Sequence, residues 1–504
     1  MSTSRKTETS ASPPGIFDPE HRTLTVGILL GVTLVAFEAL AVVTIAPRLA
    51  AELGGTRLYG WIFSGLLLTS LFGTVLGGQT ADRRGPGLVV SLGLIVFGLG
   101  LTVGAAAPNM PVLILGRLLQ GLGGGALVTA LFAVVNLAYS DRLRPALFAA
   151  MSSAWVVPGL VGPLLAGLIA EAVGWRAVFW GLLPLLVVVA ALTVPAFRRL
   201  PKPNTPKKPS RLPQALGLSL GTGLFLAGLT LASGWGVLLA VVGGPLALWS
   251  LRRLVPAGTL RARPGLPAVV ASRGLFYAAF AGVEAFLAFM LTRIHGYSEA
   301  VTGVAIATGA LSWALGSFVQ SRLEKQSAGE AERAQGQAQD RKQDQAQGKI
   351  SNQARRRAQR VRLGTILMSV GLSAQLLALF APRYSLAISV LAWATAGLGI
   401  GLAHSTTSVL AFSYAPGGEG GAVSASLQLA DQFSSALSTG VGGALLALST
   451  RLGLPERTGV AWAYLLFGLL IAVAVWTAGR GGTVVGGGAA TTAATTTATT
   501  TARR

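Results

Sequence analysis

The sequence contains no cysteine, and only 12% of its 504 residues are charged. The absence of cysteine excludes disulfides, thiolate metal sites and cysteine nucleophiles. Soluble proteins carry about 25% charged residues, so this chain does not have the composition of a soluble enzyme. Hydrophobic residues make up 52% of it, which is typical of a protein that is largely embedded in lipid.

Motifs for nucleotide-driven or covalent chemistry are missing as well. A phosphate-binding P-loop needs a lysine followed by serine or threonine, but the Gly-Lys pair at 348–349 is followed by isoleucine. The three histidines, His21, His295 and His404, are too scattered to supply a nucleophile–base–acid set. We therefore expect no enzyme activity and no metal, nucleotide or other cofactor.

Apolar runs of about twenty residues, each long enough to cross a hydrocarbon core, recur along nearly the whole chain. They predict about fourteen membrane-spanning helices, the first near 25–47 and the last near 459–479. Unbroken Leu/Ala/Val/Gly runs lack the alternation of barrel strands. With both termini inside, the inner segments hold 32 of the 40 basic residues and the outer loops only 7. This asymmetry predicts cytoplasmic termini and explains the net charge of +22 without nucleic acid.

The chain resembles itself across its two halves. "GLGGGALVTALFAVVNLAY" at 121–139 matches "GLGIGLAHSTTSVLAFSYA" at 397–415 in its glycine spacing and in the turn that follows. Such internal repeats are common in transporters. We expect six-helix bundles at 24–200 and 267–479, with a basic proline-rich linker and two additional spans between them at 201–266.

Three polar segments lie at the edges of these units. We predict that residues 1–23 and the Thr-rich tail at 480–504 are disordered. Residues 321–362 are rich in Gln, Ala and Arg and are predicted to form a cytoplasmic loop within the second bundle. That loop is either a solvated spacer or a surface helix that contacts anionic headgroups.

Four ionisable residues fall deep within the predicted spans, namely Glu38, Glu284, Asp431 and Arg117, of which Arg117 is the only base. An ionised carboxylate at the bilayer centre costs about 2.5–3.5 kcal/mol, so such residues usually face a cavity or a partner. Removal from water also favours the protonated form of an acid. With His404, these residues are predicted to couple protons to a substrate. In the alternative interpretation, an Arg117–acid pair only holds helices together.

The loop "GGQTADRRGPG" at 77–87 resembles the signature between spans two and three of the major facilitator superfamily. The matching residues are Gly78, Asp82, Arg83 and Gly85, whereas Pro86-Gly87 replaces the usual basic pair. In that family this loop latches the two halves in one access state. The resemblance therefore implies a gating role for the loop, centred on Asp82.

Three spans carry further likenesses to the same superfamily. "VGPLLAG" at 161–167 resembles its antiporter motif, and the matching residues are Gly162, Pro163 and Gly167. "EALAVVTIAPRLAAELG" at 38–54 resembles the first-span pattern, with Glu38 where the pattern has Asp. "RLLQGLGGG" at 117–125 is similar to the fourth-span signature, which implies a proton-coupling role for Arg117. The set is most similar to the fourteen-span drug/proton antiporter branch.

The repeat and the resemblance together predict an all-α membrane protein with two pseudo-symmetric six-helix bundles and two additional central helices. The resemblance implies a proton-coupled secondary transporter that exports hydrophobic or cationic compounds across a bacterial inner membrane by alternating access. Its partners would be a small-molecule substrate, protons and the lipid bilayer, with the chain acting as a monomer. Import of a small nutrient by proton symport, export of a lipid or siderophore, and a non-transporting sensor remain as alternatives.

Overall fold

The computed structural model describes residues 15–140, 142–200, 210–231, 233–336, 344–414 and 420–482. Within these ranges the chain forms helices and short turns, with fourteen segments long and apolar enough to cross a membrane. The prediction of an all-helical, fourteen-span membrane protein is therefore confirmed. The predictions made for 1–14, for 483–504 and for the linker at 201–209 fall outside the described residues.

The first bundle is built from seven helices that form six spans. They are α1 (Arg22–Glu52), α2 (Trp61–Arg84), α3 (Pro86–Ala105), α4 (Met110–Ala138), α5 (Arg144–Ser153), α6 (Val156–Val173) and α7 (Arg176–Arg198). The fifth span is interrupted between α5 and α6 because Pro158 has no N–H to donate to the carbonyl of Ala154. The hydroxyl of Thr33 donates to that carbonyl instead, at 3.4 Å.

Two additional helices and the second bundle follow. They are α8 (Leu212–Leu231), α9 (Gly234–Leu254), α10 (Leu266–Phe289), α11 (Glu299–Gly336), α12 (Asp344–Phe380), α13 (Ser385–Ser413), α14 (Gly420–Arg451) and α15 (Glu456–Arg480). The segment 321–362, predicted to be a cytoplasmic spacer or surface helix, is helical in its described parts because α11 and α12 extend through them. Ala, Gln, Arg and Glu are strong helix formers, and no proline interrupts the segment.

The hairpin of α8 and α9 packs against α2 and α14. The hydroxyl of Ser219 donates to the carbonyl of Leu68 at 2.8 Å, and the indole N–H of Trp61 donates to the hydroxyl of Thr230 at 3.3 Å. Arg451 on α14 donates to the carbonyl of Thr230 at 2.6 Å. The hairpin therefore covers the seam where the first bundle meets the second along α2 and α14.

We call the outer end the one at which α1 and α6 end and α11 begins, because the positive-inside pattern predicts that it faces away from the cytoplasm. The two bundles touch along this outer part of the molecule. A Cβ atom added to Gly60, immediately before α2, would lie 2.6 Å from the carbonyl oxygen of Thr439 on α14. The hydroxyl of Tyr59 donates to the carbonyl of Ala285 on α10 at 2.5 Å. Close backbone approach thus joins the bundles here.

Candidate functional site

A buried ion pair joins α1 to α4 inside the first bundle. Nη1 of Arg117 contacts Oε1 of Glu38, and these residues are only 2% and 1% exposed. The guanidinium also donates through Nη1 to Oε1 of Gln120 at 2.6 Å and through Nε to the carbonyl of Ile62 on α2 at 2.9 Å. The structure therefore contains an Arg117–acid pair whose acid is Glu38, and this pair links three helices.

Glycines on α4 bring α2 within reach of Arg117. Cβ atoms added to Gly121 and Gly125, one helical turn apart, would run into the backbone carbonyls of Leu66 and Ser70 on α2. Small residues at this spacing let two membrane helices approach closely. The arginine one turn before Gly121 can therefore reach a main-chain carbonyl of its neighbour.

A second ionic cluster lies in the other bundle and joins α10, α13 and α14. Arg273 donates through Nε to Oδ1 of Asp431 at 2.8 Å and through Nη2 to Oδ2 at 2.7 Å. Its Nη1 donates to the hydroxyl of Ser408 at 2.7 Å, and Nε2 of His404 lies 2.6 Å from Nη2. The predicted residues Asp431 and His404 are thus neighbours, with Nε2 and Oδ2 3.4 Å apart.

Arg273 corrects the sequence analysis, in which Arg117 was the only base inside a span. Arg273 is the eighth residue of α10, and its side chain is 6% exposed. Because it lies close to the start of the predicted span, it is counted in the sequence analysis with the bases of the preceding inner loop. Its spacing from Tyr277 and Glu284, by four and eleven residues, places all three on one helical face and could have identified it.

Glu284 stands apart from both clusters. It is half-buried near the C-terminal end of α10, and among the described residues it has no hydrogen-bond or ion-pair partner. Aromatic side chains lie along the same face of α10. The ring of Tyr277 is 6.3 Å from that of Trp313 on α11, and Phe280 is 5.4 Å from the same tryptophan. An unpaired carboxyl group near aromatic faces is chemistry that suits a lipophilic cation.

The three predicted acids have three different environments. Glu38 is paired with Arg117 in the first bundle, Asp431 is paired with Arg273 in the second, and Glu284 is unpaired within the described chain. The structure brings Glu38 together with Arg117 and Asp431 together with His404. It does not join these two pairs to each other in the described conformation.

The gating-loop residues lie at the end of α2 and the start of α3. Gly85 has a φ of +90°, which favours glycine, and it separates the two helices. Asp82 and Arg83 are exposed on the last turn of α2. A Cβ atom on Gly78 would lie 3.3 Å from the side chain of Thr129 on α4.

The departure of this loop from the family pattern has a packing reason. A Cβ atom on Gly87 would lie 2.7 Å from the carbonyl oxygen of Phe197 at the end of α7. Pro86 is the first residue of α3, a position where its missing N–H is not needed. A basic side chain in place of Gly87 would not fit against α7.

The antiporter-like motif forms the crossing of α6 with α11, where the two bundles meet. A Cβ atom on Gly167 would lie 2.5 Å from the carbonyl oxygen of Glu299, and Gly303 packs directly against the carbonyl of Pro163. Gly162 faces α1. The small residues of the motif therefore let the backbones of the two bundles pack closely at the outer end.

Two helical bundles that touch at their outer ends, each with a buried ion pair, define the class of two-bundle membrane transporters. The model of one family, described as Major Facilitator Superfamily, matches residues 28–334. The chain belongs to the Major Facilitator Superfamily.

Relatives and solved structures agree with this family. A probable multidrug-efflux transporter of Mycobacterium tuberculosis (strain ATCC 25618 / H37Rv) is 36% identical over 165 residues, 33% of this chain and 35% of the relative. The multidrug transporter protein MdtP of Bacillus subtilis (strain 168) is 29% identical over 168 residues, which are 33% and 31% of the two chains. The matches thus span only about a third of these relatives' length. The crystal structure of an auto-inhibited POT family peptide transporter shares the fold, with a TM-score of 0.62, 16% identity and coverage of 90% of this chain and 95% of that one.

Proposed function

We propose that this protein is a proton-coupled secondary transporter that exports hydrophobic or cationic compounds by alternating access. The observation that carries the proposal is Glu284, a half-buried acid without a partner among the described residues, on the same face of α10 as Tyr277. The names of the two multidrug-transporting relatives support the class of cargo.

Cargo would bind where the carboxyl group of Glu284 lies along the aromatic face of Tyr277, Phe280 and Trp313. The carboxylate supplies charge complementarity, and the rings supply apolar area and cation–π attraction of about 0.5–2 kcal/mol. Such a site tolerates cargo of varied shape because neither interaction demands a particular hydrogen-bonding pattern.

Coupling follows when a proton and a cation compete for the same carboxyl group. A proton on Glu284 removes the charge that holds the cation, and the bound cation opposes protonation by the same factor. An ionised carboxylate also costs free energy inside the membrane unless one of the two occupants neutralises it. The membrane potential contributes about 2.3 kcal/mol per net charge moved per 100 mV.

Glu38 and Arg117 would act on the conformational step. Their pair joins α1, α2 and α4 in the state in which the bundles are closed at the outer end. Protonation of Glu38 removes the attraction to Arg117 and frees these helices to move relative to one another. The first bundle can then respond to a proton without binding cargo itself.

Alternating access would come from the two bundles rocking about the central site. Closure at the α6–α11 and α2–α14 crossings gives the inward-facing state, in which cargo loads from the cytoplasm. We propose that the protein works as a monomer in a bacterial inner membrane, with both termini in the cytoplasm.

Flux into proteoliposomes tests this function. We expect a lipophilic cation such as tetraphenylphosphonium to accumulate several-fold when the lumen is made acidic, and not in protein-free vesicles. Glu284→Gln should abolish this proton-driven accumulation while leaving expression intact. Glu456→Gln, at the outer end of α15, is the matched control because Glu456 pairs with Arg293 at the surface. Full proton-driven accumulation by Glu284→Gln would refute the assignment of Glu284 as the cargo-binding acid. If the wild type moves none of a panel of lipophilic cations, the proposed export function is refuted.

A further inference from the structure

The ring of His404 lies between an arginine and a carboxylate that compete for one ring nitrogen. Nε2 is 2.6 Å from Nη2 of Arg273 and 3.4 Å from Oδ2 of Asp431. A guanidinium group carries only donors and stays protonated in proteins. The shorter contact therefore requires Nε2 to be the acceptor, so this geometry is that of a neutral imidazole with its proton on Nδ1.

We propose that His404 is a proton switch, in which a proton bound at Nε2 transfers the ring from Arg273 to Asp431. A hydronium ion supplies the proton: one of its O–H bonds breaks as the Nε2 lone pair forms the N–H bond, and a water molecule is left. The protonated ring can no longer accept from Arg273, but it can donate to Asp431. This proposal rests on the proposed proton-coupled transport and assigns it a further proton site, in addition to Glu38 in the first bundle and Glu284 in the second.

The groups around His404 make the two states electrostatically distinct. Arg273 and Tyr277 face it from α10, Asp431 faces it from α14, and Trp313 on α11 covers it with ring centroids 5.4 Å apart. In the neutral state the cluster holds one positive and one negative charge. A protonated ring adds a second positive charge beside Arg273, so these two groups repel and share the single carboxylate.

The switch would act on α10 through Arg273. In the neutral state this arginine ties α10 to α13 through the Ser408 hydroxyl and to α14 through Asp431. Loss of the contact with His404 and sharing of the carboxylate weaken both ties. Glu284 lies eleven residues further along the same face of α10, about 16 Å away along the helix axis. A proton at His404 can thereby alter the position of the proposed cargo-binding acid.

The switch is not fully enclosed by protein in the described conformation. The side chain of His404 is 24% exposed and that of Asp431 is 15% exposed, in contrast to the fully enclosed pair of Glu38 and Arg117. The second bundle therefore offers a proton site that is open while the outer crossings are closed.

The low histidine content permits a direct test. His21→Gln and His295→Gln together leave His404 as the single histidine of the chain, and ¹⁵N-labelled histidine then reports its tautomer and charge by NMR. At pH 8 we expect the Nδ1–H tautomer with an acceptor Nε2, and on titration to pH 5 we expect both nitrogens to become protonated. In the Asp431→Asn variant the charged ring loses the neighbouring negative charge, so protonation should need a lower pH. An Nε2–H tautomer at pH 8, or a ring that stays neutral at pH 5, would overturn the proposal.

A flux measurement then tests whether the switch is coupled to transport. His404→Gln keeps an acceptor for Arg273 but cannot gain a proton. We therefore expect cation flux to persist, with a weaker dependence on pH between 5 and 8 because only Glu284 and Glu38 still titrate. Ser405→Ala is the neighbouring control, since that hydroxyl bonds to Ser317 outside the cluster. A pH profile of His404→Gln identical to wild type would overturn the coupling. If the wild type moves no cation, the proposed function fails, whereas the NMR titration still decides on the switch.

Discussion

Glu38 and Arg117 form an ion pair that is almost completely excluded from solvent, although they lie on different helices and 79 positions apart in the sequence. Burying two charges is costly even when they are paired, and pairs of this kind often add little net stability. The pair therefore needs another reason to be present. We propose that this reason is a proton-dependent change in the packing of α1 and α4.

Removing one member of this pair should destabilise the protein more than removing both. Arg117→Gln leaves the Glu38 carboxylate buried without its counter-charge, which costs about 3–5 kcal/mol for buried pairs. The double variant Glu38→Gln/Arg117→Gln leaves no buried charge, and its midpoint of thermal unfolding in detergent should lie above that of Arg117→Gln.

Transport provides the second readout of the same pair. Glu38→Gln should insert normally and lose proton-dependent flux, because the variant cannot exchange a proton. If the loss of stability in the double variant equals the sum of the losses in Glu38→Gln and Arg117→Gln, the two side chains do not interact. Full proton-dependent flux in Glu38→Gln would remove Glu38 from the mechanism.

The crossing of α6 and α11 should be intolerant of even one methyl group. In Gly167→Ala the added Cβ would lie 2.5 Å from the carbonyl oxygen of Glu299, and overpacking of this kind costs about 1–3 kcal/mol. The cost applies to the outer-closed state, so we expect the outer ends to separate. Because the natural chain has no cysteine, spin labels at Arg57→Cys and Tyr384→Cys would report the separation directly.

Gly468→Ala is the matched control for this experiment. No atom from another helix lies within 4 Å of the Cβ position at Gly468 on α15. Only the helix propensity of alanine therefore acts, worth up to about 1 kcal/mol in favour of the helix. An unchanged distance distribution in Gly167→Ala would mean that the crossing does not hold the outer end closed.

The pairing of the ionisable residues shows where sequence reasoning reached its limit. The apolar context of Glu38 and Arg117 marked both as unusual, and the possibility of an Arg117–acid pair was visible. Which acid pairs with Arg117 depends on how α1, α2 and α4 pack, and this is a property of distant contacts. Arg273 was missed because a loop base and a base in the first turns of a helix look alike when the helix start is uncertain by a few residues.

The fold was predictable for a simpler reason. Membrane spans must satisfy their backbone hydrogen bonds internally, so long apolar runs specify helices almost independently of tertiary structure. The glycines of the antiporter-like motif were found by resemblance, but their place between the bundles was not. That place depends on Gly303 and Glu299, which belong to the other half of the chain.

His295 should make the protein less stable in acid. Burial, reinforced by the neighbouring charge of Arg457, lowers the pKa of His295 below its ordinary value near 6.5. The unfolded chain therefore binds a proton at this position more readily than the folded chain does. Stability falls as the pH drops through 6.5 toward the lower folded pKa.

His295→Gln removes this contribution, so its unfolding temperature should decline less between pH 8 and pH 5 than that of the wild type. His21→Gln serves as the control because it removes a histidine from the other bundle. If the unfolding temperatures of wild type and His295→Gln fall by the same amount between pH 8 and pH 5, the loss of stability in acid does not come from His295. The measurement needs only thermal unfolding in detergent, and it does not depend on transport.

A hydrogen bond between the bundles provides the last prediction. Oε1 of Glu171, at the outer end of α6, accepts the backbone N–H of Ala300 at 2.7 Å in the first turn of α11. An acidic group at a helix start is stabilised both by the free N–H groups and by the helix dipole. This particular cap comes from the opposite bundle, so the outer end cannot open without breaking it.

Replacing the cap should therefore shift the conformational equilibrium rather than simply weaken a helix. Loss of a capping side chain costs about 0.5–2 kcal/mol, so Glu171→Ala should raise the outer-open population by about 2- to 30-fold. Glu171→Gln keeps an acceptor oxygen without the charge, so its outer-open population should lie between those of the wild type and Glu171→Ala. Glu456→Gln alters an acid in the first turn of α15 that pairs within its own bundle, so the spin-label distance should not change. If Glu171→Ala gives the same distance distribution as Glu456→Gln, the cap forms when the outer end closes but does not stabilise the closed state.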